Sequence, residues 1–176
     1  MQRKSLLLIC TVLILSFSSF AQSTDPKWEL FGGYSFLRAN PGAGDDAADS
    51  HGWNASVDYN FTKHWGIKGD ADGHYCCDGQ KEHNFLYGPQ FQFKVRNSRI
   101  FLHAMAGVSH GSAPSVNFSD TVFAYAAGGG FDYSVGHSKR WALRLAQVDY
   151  VGTHYADAIQ NHFRYSGGIV LNLGNR

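Results

Sequence analysis

The sequence predicts an all-β fold, an eight-stranded antiparallel up-and-down transmembrane β-barrel, and three observations carry that prediction. Apolar residues alternate with small or polar ones in eight successive segments, the connections alternate between short and long, and the polar faces carry few charges. Charged residues make up 16% of the 176-residue chain, against roughly 25% in an ordinary soluble domain. Aromatics reach 15% and glycines number 20, so the composition is not that of a disordered chain. Beyond the leader no continuous apolar run approaches the ~20 residues that a membrane helix needs. Any crossing of a membrane must therefore be made by strands.

Residues 1–21 read as a cleaved export signal, with a basic start at Arg3 and Lys4, an apolar stretch from Leu6 to Leu15, and small residues ending at Ala21. Cys10 lies inside the apolar stretch behind bulky Ile9, which argues against a lipid-anchored cysteine. Removing 21 of the 176 residues leaves 155 for the mature chain, residues 22–176, enough for one domain. Taking Arg3 and Lys4 from the 15 basic residues leaves 13 against 14 acidic ones. A balance so close to neutral gives no reason to expect nucleic-acid binding.

The first strand, from Trp28 to Arg38, places Trp28, Leu30, Tyr34 and Phe36 opposite Glu29, Phe31, Ser35 and Leu37. The second sets Trp53, Ala55, Val57, Tyr59 and Phe61 against Asn54, Ser56, Asp58 and Asn60. After a very short turn the third sets Trp65, Ile67, Ala71 and Tyr75 against Lys68, Asp70, Asp72 and His74. The fourth alternates Phe85, Tyr87, Phe91, Phe93 and Val95 with Asn84, Leu86, Gln90, Gln92 and Lys94. Pro89 removes one ladder donor there and is best accommodated at a bulge or an edge.

The fifth strand, from Ile100, alternates Ile100, Leu102, Ala104 and Val108 with Phe101, His103, Met105 and Ser109, a weaker contrast than the others. In the sixth, Phe123, Tyr125, Phe131 and Tyr133 face away from Ala124, Ala126, Asp132 and Ser134. The seventh, Trp141 to Tyr150, breaks step, because Arg144 has one parity while Gln147 and Asp149 have the other. One extra residue near Ala146 restores the pattern, which predicts a β-bulge. The last strand sets Phe163, Tyr165, Ile169, Leu171 and Leu173 against His162, Arg164, Ser166 and Asn172.

The connections at residues 62–64, 96–98 and 136–139 are short, and those at 39–52, 76–83, 110–121 and 151–161 are longer. An even strand count with short turns on one side is the layout of an up-and-down barrel. Composition decides which face is outside. A barrel in water covers its exterior with Lys and Glu, whereas these polar faces are mostly Gly, Ala, Ser, Asn and Gln. Turned inward, they collect Glu29, Asp58, Asp70, Asp72, Asp132 and Asp149 with Lys68, Lys94, Arg144 and Arg164, a set in which opposite charges can pair. Turned outward, the apolar faces present lipid-facing residues flanked by Trp, Tyr and Phe near the strand ends, as two interfacial belts require.

Charge sorts by sign between the two ends. Lys63, Arg96, Arg99, Lys139 and Arg140 fall on the short turns. Asp45, Asp46, Asp49, Asp78, Glu82, Asp120 and Asp157 fall on the long loops, with Lys81 as the exception.

These patterns, with the stretches Gly128-Gly129-Gly130-Phe131-Asp132, Gln147-Val148-Asp149-Tyr150 and Asn161 to Val170, resemble the small eight-stranded outer-membrane β-barrel proteins that include the OmpA transmembrane domain and OmpX. The resemblance spans residues 27–173 and rests on pattern rather than on a catalytic motif. It implies an integral outer-membrane protein in contact with outer-membrane lipid and lipopolysaccharide, acting as a monomer, with a surface partner reachable through the long loops. Such barrels often end in an aromatic residue, whereas this chain ends Leu173-Gly174-Asn175-Arg176. No peptidoglycan-binding domain is expected to follow.

An eight-stranded barrel has an interior that side chains can just fill, so a wide aqueous pore is not expected. Cys76 and Cys77 with His74 and His83 form a His-x-Cys-Cys-x5-His cluster whose ligand types suit Zn or Cu. The spacing matches no standard site, so neither metal nor cofactor is expected. His110-Gly111-Ser112 resembles a His-x-Ser arrangement for nucleophilic catalysis but has no recognisable acid to orient the imidazole. A soluble lipocalin-like binder of apolar ligands and a lipid A-modifying barrel enzyme remain as alternatives to the non-enzymatic barrel.

Overall fold

The computed structural model describes residues 26–40, 48–76, 79–113, 118–155 and 158–175. The export signal expected over 1–21 lies outside them. Eight strands follow one another: β1 (Pro26–Asn40), β2 (Ala48–Asn60), β3 (Trp65–Tyr75), β4 (Lys81–Val95), β5 (Ser98–Ala113), β6 (Phe118–Val135), β7 (Trp141–Tyr155) and β8 (Ala158–Asn175). Each pairs antiparallel with the next, and β8 returns to β1, so the sheet closes on itself. Closure satisfies every ladder edge within the wall, which is what lets strands cross a layer that offers no water.

Alternation sorts the side chains. Along β3, Lys68, Asp70, Asp72 and His74 are buried while Trp65 and Ile67 are exposed, and β4 and β5 repeat the pattern. The exterior carries its aromatics toward the two ends. Trp28 packs on Tyr59 at 4.6 Å and Trp65 on Phe91 at 5.1 Å at the short-turn end, while Tyr150 packs on Phe163 at 5.7 Å at the other. A lipocalin-like barrel would enclose these rings; here the large apolar side chains are exposed and the charged ones are buried.

The short turns are closed by local chemistry. The Thr62 hydroxyl accepts the backbone N–H groups of His64 and Trp65 at 3.3 and 2.8 Å, fixing the β2–β3 turn. The β4–β5 turn has Arg96 in a left-handed conformation, φ 53°. At the opposite end the strands run further than the alternation predicts: β2 already begins at Ala48, β5 reaches Ala113 and β8 starts at Ala158. Polar residues on both faces blur the pattern there, while the backbone ladder continues regardless.

Two irregularities bear on the interior. The pairing of β7 slips against β6 at Phe131/Asp132 and against β8 between Arg144 and Gln147. Leu145 and Ala146 are both exposed, which is the two-against-one bulge expected near Ala146. Pro89 needs neither a bulge nor an edge. Tyr87↔Ala106 and Gln90↔His103 flank it in one unbroken register with β5, so the ladder loses a local rung without slipping.

Candidate functional site

The candidate site is the barrel lumen. Its short-turn half is built on a chain of ion pairs that crosses from β1 to β7. Arg99 of β5 pairs with Glu29 of β1 and with Asp132 of β6. Arg144 of β7 donates to Asp132 through Nε at 2.9 Å and Nη2 at 3.3 Å. Its guanidinium lies over the rings of Phe31 and Phe101, 4.1 and 4.4 Å from their centroids. Asn60 donates to Glu29 Oε1 at 2.7 Å. The side chains that hold the charges also fill the cross-section, because planar guanidinium groups stack where an ammonium would not.

Gln147 links this cluster to the next. Its Oε1 accepts from Arg144 Nη1 at 2.7 Å and its Nε2 donates to Asp149 Oδ2 at 2.7 Å. In the second cluster Arg164 of β8 reaches Asp149 through Nε and Nη2, and reaches Asp70 at 2.7 Å and Asp72 through Nη1. His103 Nε2 stands 2.8 Å from Asp149 Oδ1. Lys68 donates to Ser56 at 2.6 Å and pairs with Asp58 at 3.2 Å, with Asp70 at 4.0 Å. His74 lies 3.1 Å from Asp72 and bonds Ser35 at 2.9 Å.

Of the ten interior residues named from the sequence, Glu29, Asp58, Lys68, Asp70, Asp72, Asp132, Arg144, Asp149 and Arg164 are all buried. Lys94 sits at the short-turn mouth with intermediate exposure, lining a cavity there. Several charges lie in strands rather than in the connections where the sequence sorting places them, Asp49 in β2, Lys81 in β4 and Asp120 in β6 among them. Arg99, assigned to a turn, is the second residue of β5 and points inward, 6% exposed. Glu82, assigned to a long loop, is in β4 and accepts from Asn84 at 3.2 Å and Ser109 at 3.3 Å. Extending the fifth strand's alternation one step back from Phe101 would have found Arg99.

The two histidines of the first smaller motif are not brought together. His74 points into the lumen, whereas His83 packs against Tyr75 on the exterior at 5.7 Å, so the wall separates them. Cys77 lies outside the described residues, and among those described no group of His, Cys, Asp and Glu is arranged to hold a metal ion. His110 is exposed and bonds the Thr121 hydroxyl at 2.8 Å.

The profile of the outer membrane protein beta-barrel domain family matches residues 7–174. Among solved structures, Neisserial surface protein A superposes with a TM-score of 0.70 at 12% identity, covering 84% of this chain and 97% of that one. The attachment invasion locus protein of Yersinia pestis gives 0.57 at 17% identity, covering 84% and 100%. The N-terminal β-barrel domain of Pseudomonas aeruginosa OprF gives 0.55 at 12% identity, covering 84% and 98%. At these identities the likeness is one of fold. No curated protein matches significantly.

Proposed function

The chain belongs to the outer membrane protein beta-barrel domain family, and from that premise we propose that it is a closed barrel with a structural or surface-interaction role in the envelope, not a wide-pore porin. Export follows cleavage after Ala21, the short turns face the periplasm, and the barrel works as a monomer. The observation that carries this reading is the bonded chain from Glu29 through Arg99, Asp132, Arg144, Gln147 and Asp149 to Arg164, which occupies the lumen at successive depths. Charges so paired satisfy one another and leave little for a permeating ion.

The other end supplies the interaction surface. One structural neighbour, the attachment invasion locus protein of Yersinia pestis, has been solved with the heparin analogue sucrose octasulfate. The acidic residues Asp45, Asp46 and Asp157 of this chain's long connections, with Asp49 near the start of β2 and Asp120 near the start of β6, oppose a polyanion. Carboxylates in such positions suit divalent cations, and through them the phosphates of lipopolysaccharide. This reading includes no reaction, and His110 bonds the Thr121 hydroxyl at 2.8 Å.

The test is single-channel recording on the refolded protein, alongside gel mobility with and without boiling. A boiling-dependent shift together with the absence of stable open steps is the expected pair of results. Persistent steps of porin size would overturn the closed-lumen reading, and a protein that extracts without detergent and shows no shift would overturn the barrel's place in the membrane.

A further inference from the structure

The short-turn mouth of the lumen holds a cavity of about 230 Å3 lined by Lys94, Arg96, Arg99 and Lys139, with Asp132 as the acid among the lining residues. Arg99 is already shared between Glu29 and Asp132, Asp132 also takes Arg144 from deeper in the lumen, and the further cations lining the cavity are Lys94, Arg96 and Lys139. The cavity is therefore cationic, and the hydroxyls of Ser98 and Ser134 line it too. Arg99, 6% exposed, forms its buried wall.

A second, independent observation points to the same place. Among the described residues the non-glycine positions with positive φ are Arg96, at 53°, and Lys139, at 49°, and both line this cavity. A left-handed residue is needed in a tight β4–β5 hairpin turn, but glycine or asparagine supplies it with the least strain. The turn accounts for the backbone and leaves the choice of a long cation unexplained. The two turns are also tied together across the mouth, with Lys139 Nζ donating to the Arg96 carbonyl at 3.3 Å. Strained residues that converge on one cavity mark a place where side-chain position matters more than local stability.

We propose that this cavity is a binding site for a small oxyanion of the phosphate class. Guanidinium and ammonium groups with hydroxyl donors are the donor set that phosphate oxygens take up, through charge-assisted hydrogen bonds. A soluble phosphate ester and the headgroup of an inner-leaflet phospholipid present the same chemistry. The site takes from the closed-barrel reading only its orientation toward the periplasm.

The experiment uses the whole refolded barrel in a phosphate-free maltoside detergent, titrated with inorganic phosphate by calorimetry. Arg96→Gly and Lys139→Gly each keep a residue suited to the left-handed turn while removing a cation, so a purely structural role predicts unchanged or better folding and unchanged binding. The site predicts unchanged heat-dependent mobility with phosphate affinity down about tenfold per variant, the usual worth of a lost charge-assisted bond. Lys63→Gln, on a turn that does not line the cavity, should leave binding as it was. Displacement of bound phosphate by phosphatidylglycerol bicelles assigns the site to a lipid headgroup, and retention assigns it to a soluble ester. Absence of phosphate binding at millimolar concentration, or an equal loss in Lys63→Gln, overturns the proposal. Loss of the mobility shift in the unsubstituted protein would instead count against the barrel itself.

Discussion

Arg164 and Asp149 stand opposite one another in the β7–β8 register, and one carboxylate oxygen, Asp149 Oδ2, accepts both Arg164 Nη2 at 2.6 Å and Nε at 2.9 Å. The remaining nitrogen, Nη1, bridges the lumen to Asp70 and Asp72 on β3. One guanidinium thus holds three carboxylates from two walls of the barrel. Replacing it by Met should lower the unfolding free energy in detergent by about 3–5 kcal/mol, because it leaves buried charges facing one another. Arg164→Lys should recover only part of that, since a point charge cannot fork between the walls. Urea titration followed by tryptophan fluorescence measures both, and a loss under about 1 kcal/mol for the Met variant would mean the network is not what holds the lumen.

The exterior makes a prediction of the opposite kind. Ile169, in the central part of β8, and Val135, at the short-turn end of β6, are both exposed, at 54% and 44%. By accessibility alone they are equivalent surface positions. In lipid they are not: Ile169→Lys should cost about 2–4 kcal/mol and Val135→Lys about 0–1 kcal/mol, because the second ammonium reaches the headgroups. Equal tolerance at the two sites in refolding titrations from bilayer vesicles would show that depth does not matter and that the face is not lipid-facing.

The seam between β1 and β8 depends on two small residues. Gly33 pairs with Gly168, and a Cβ on either would run into the backbone of the facing strand, at Gly167 in one case and at Gly32 and Gly33 in the other. Gly168→Ala should therefore destabilise the closed barrel by about 1–3 kcal/mol, the usual cost of forcing an added methyl into packed structure. Gly32, one residue away, has nothing within 4 Å of the same position, so Gly32→Ala serves as the control and should be neutral or slightly favourable. Midpoints of the heat-dependent mobility shift would separate the two.

Much of this molecule was legible in the sequence because a two-faced strand writes its environment into every second residue. Lys68, Asp70 and Asp72 on β3 declare one face, and Trp65 and Ile67 the other. The partners across the lumen were not legible. That Arg164 meets Asp70 and Asp72, more than 90 residues away, follows from closure and shear, which no local pattern encodes. Arg99, Glu82, Asp49 and Asp120 read as turn or loop charges for a simpler reason. A charge next to a turn reads as part of the turn, and only the register shows that the ladder has already begun. Pro89 suggests a bulge or an edge, yet a missing N–H weakens one rung without forcing the strands to slip.

The bulge in β7 supplies the most demanding test, because it joins two halves of one strand whose inward residues have opposite parity. Arg144 faces inward before it and Gln147, Asp149 and Val151 face inward after it, with Leu145 and Ala146 both outside. Deleting Ala146 leaves Arg144 inward, Leu145 outward and Gln147 inward, so the alternation becomes regular and the two half-registers with β6 and with β8 merge into one. Asp132 still meets Arg144, and Asp149 still meets Arg164. The deletion should therefore still give a heat-modifiable barrel. Strand β3 pairs with both neighbours without a slip and has no spare residue: deleting Ala71 turns over either Lys68 and Asp70 or Asp72 and His74 and carries buried charge to the outer face. Losing one partner of a buried ion pair costs about 3–5 kcal/mol, so that deletion should prevent assembly. Refolding yields of the two deletions by gel mobility are the measurement, and failure of the Ala146 deletion would show that β7 needs its extra residue to bring Arg144 and Asp149 to the same side of the wall.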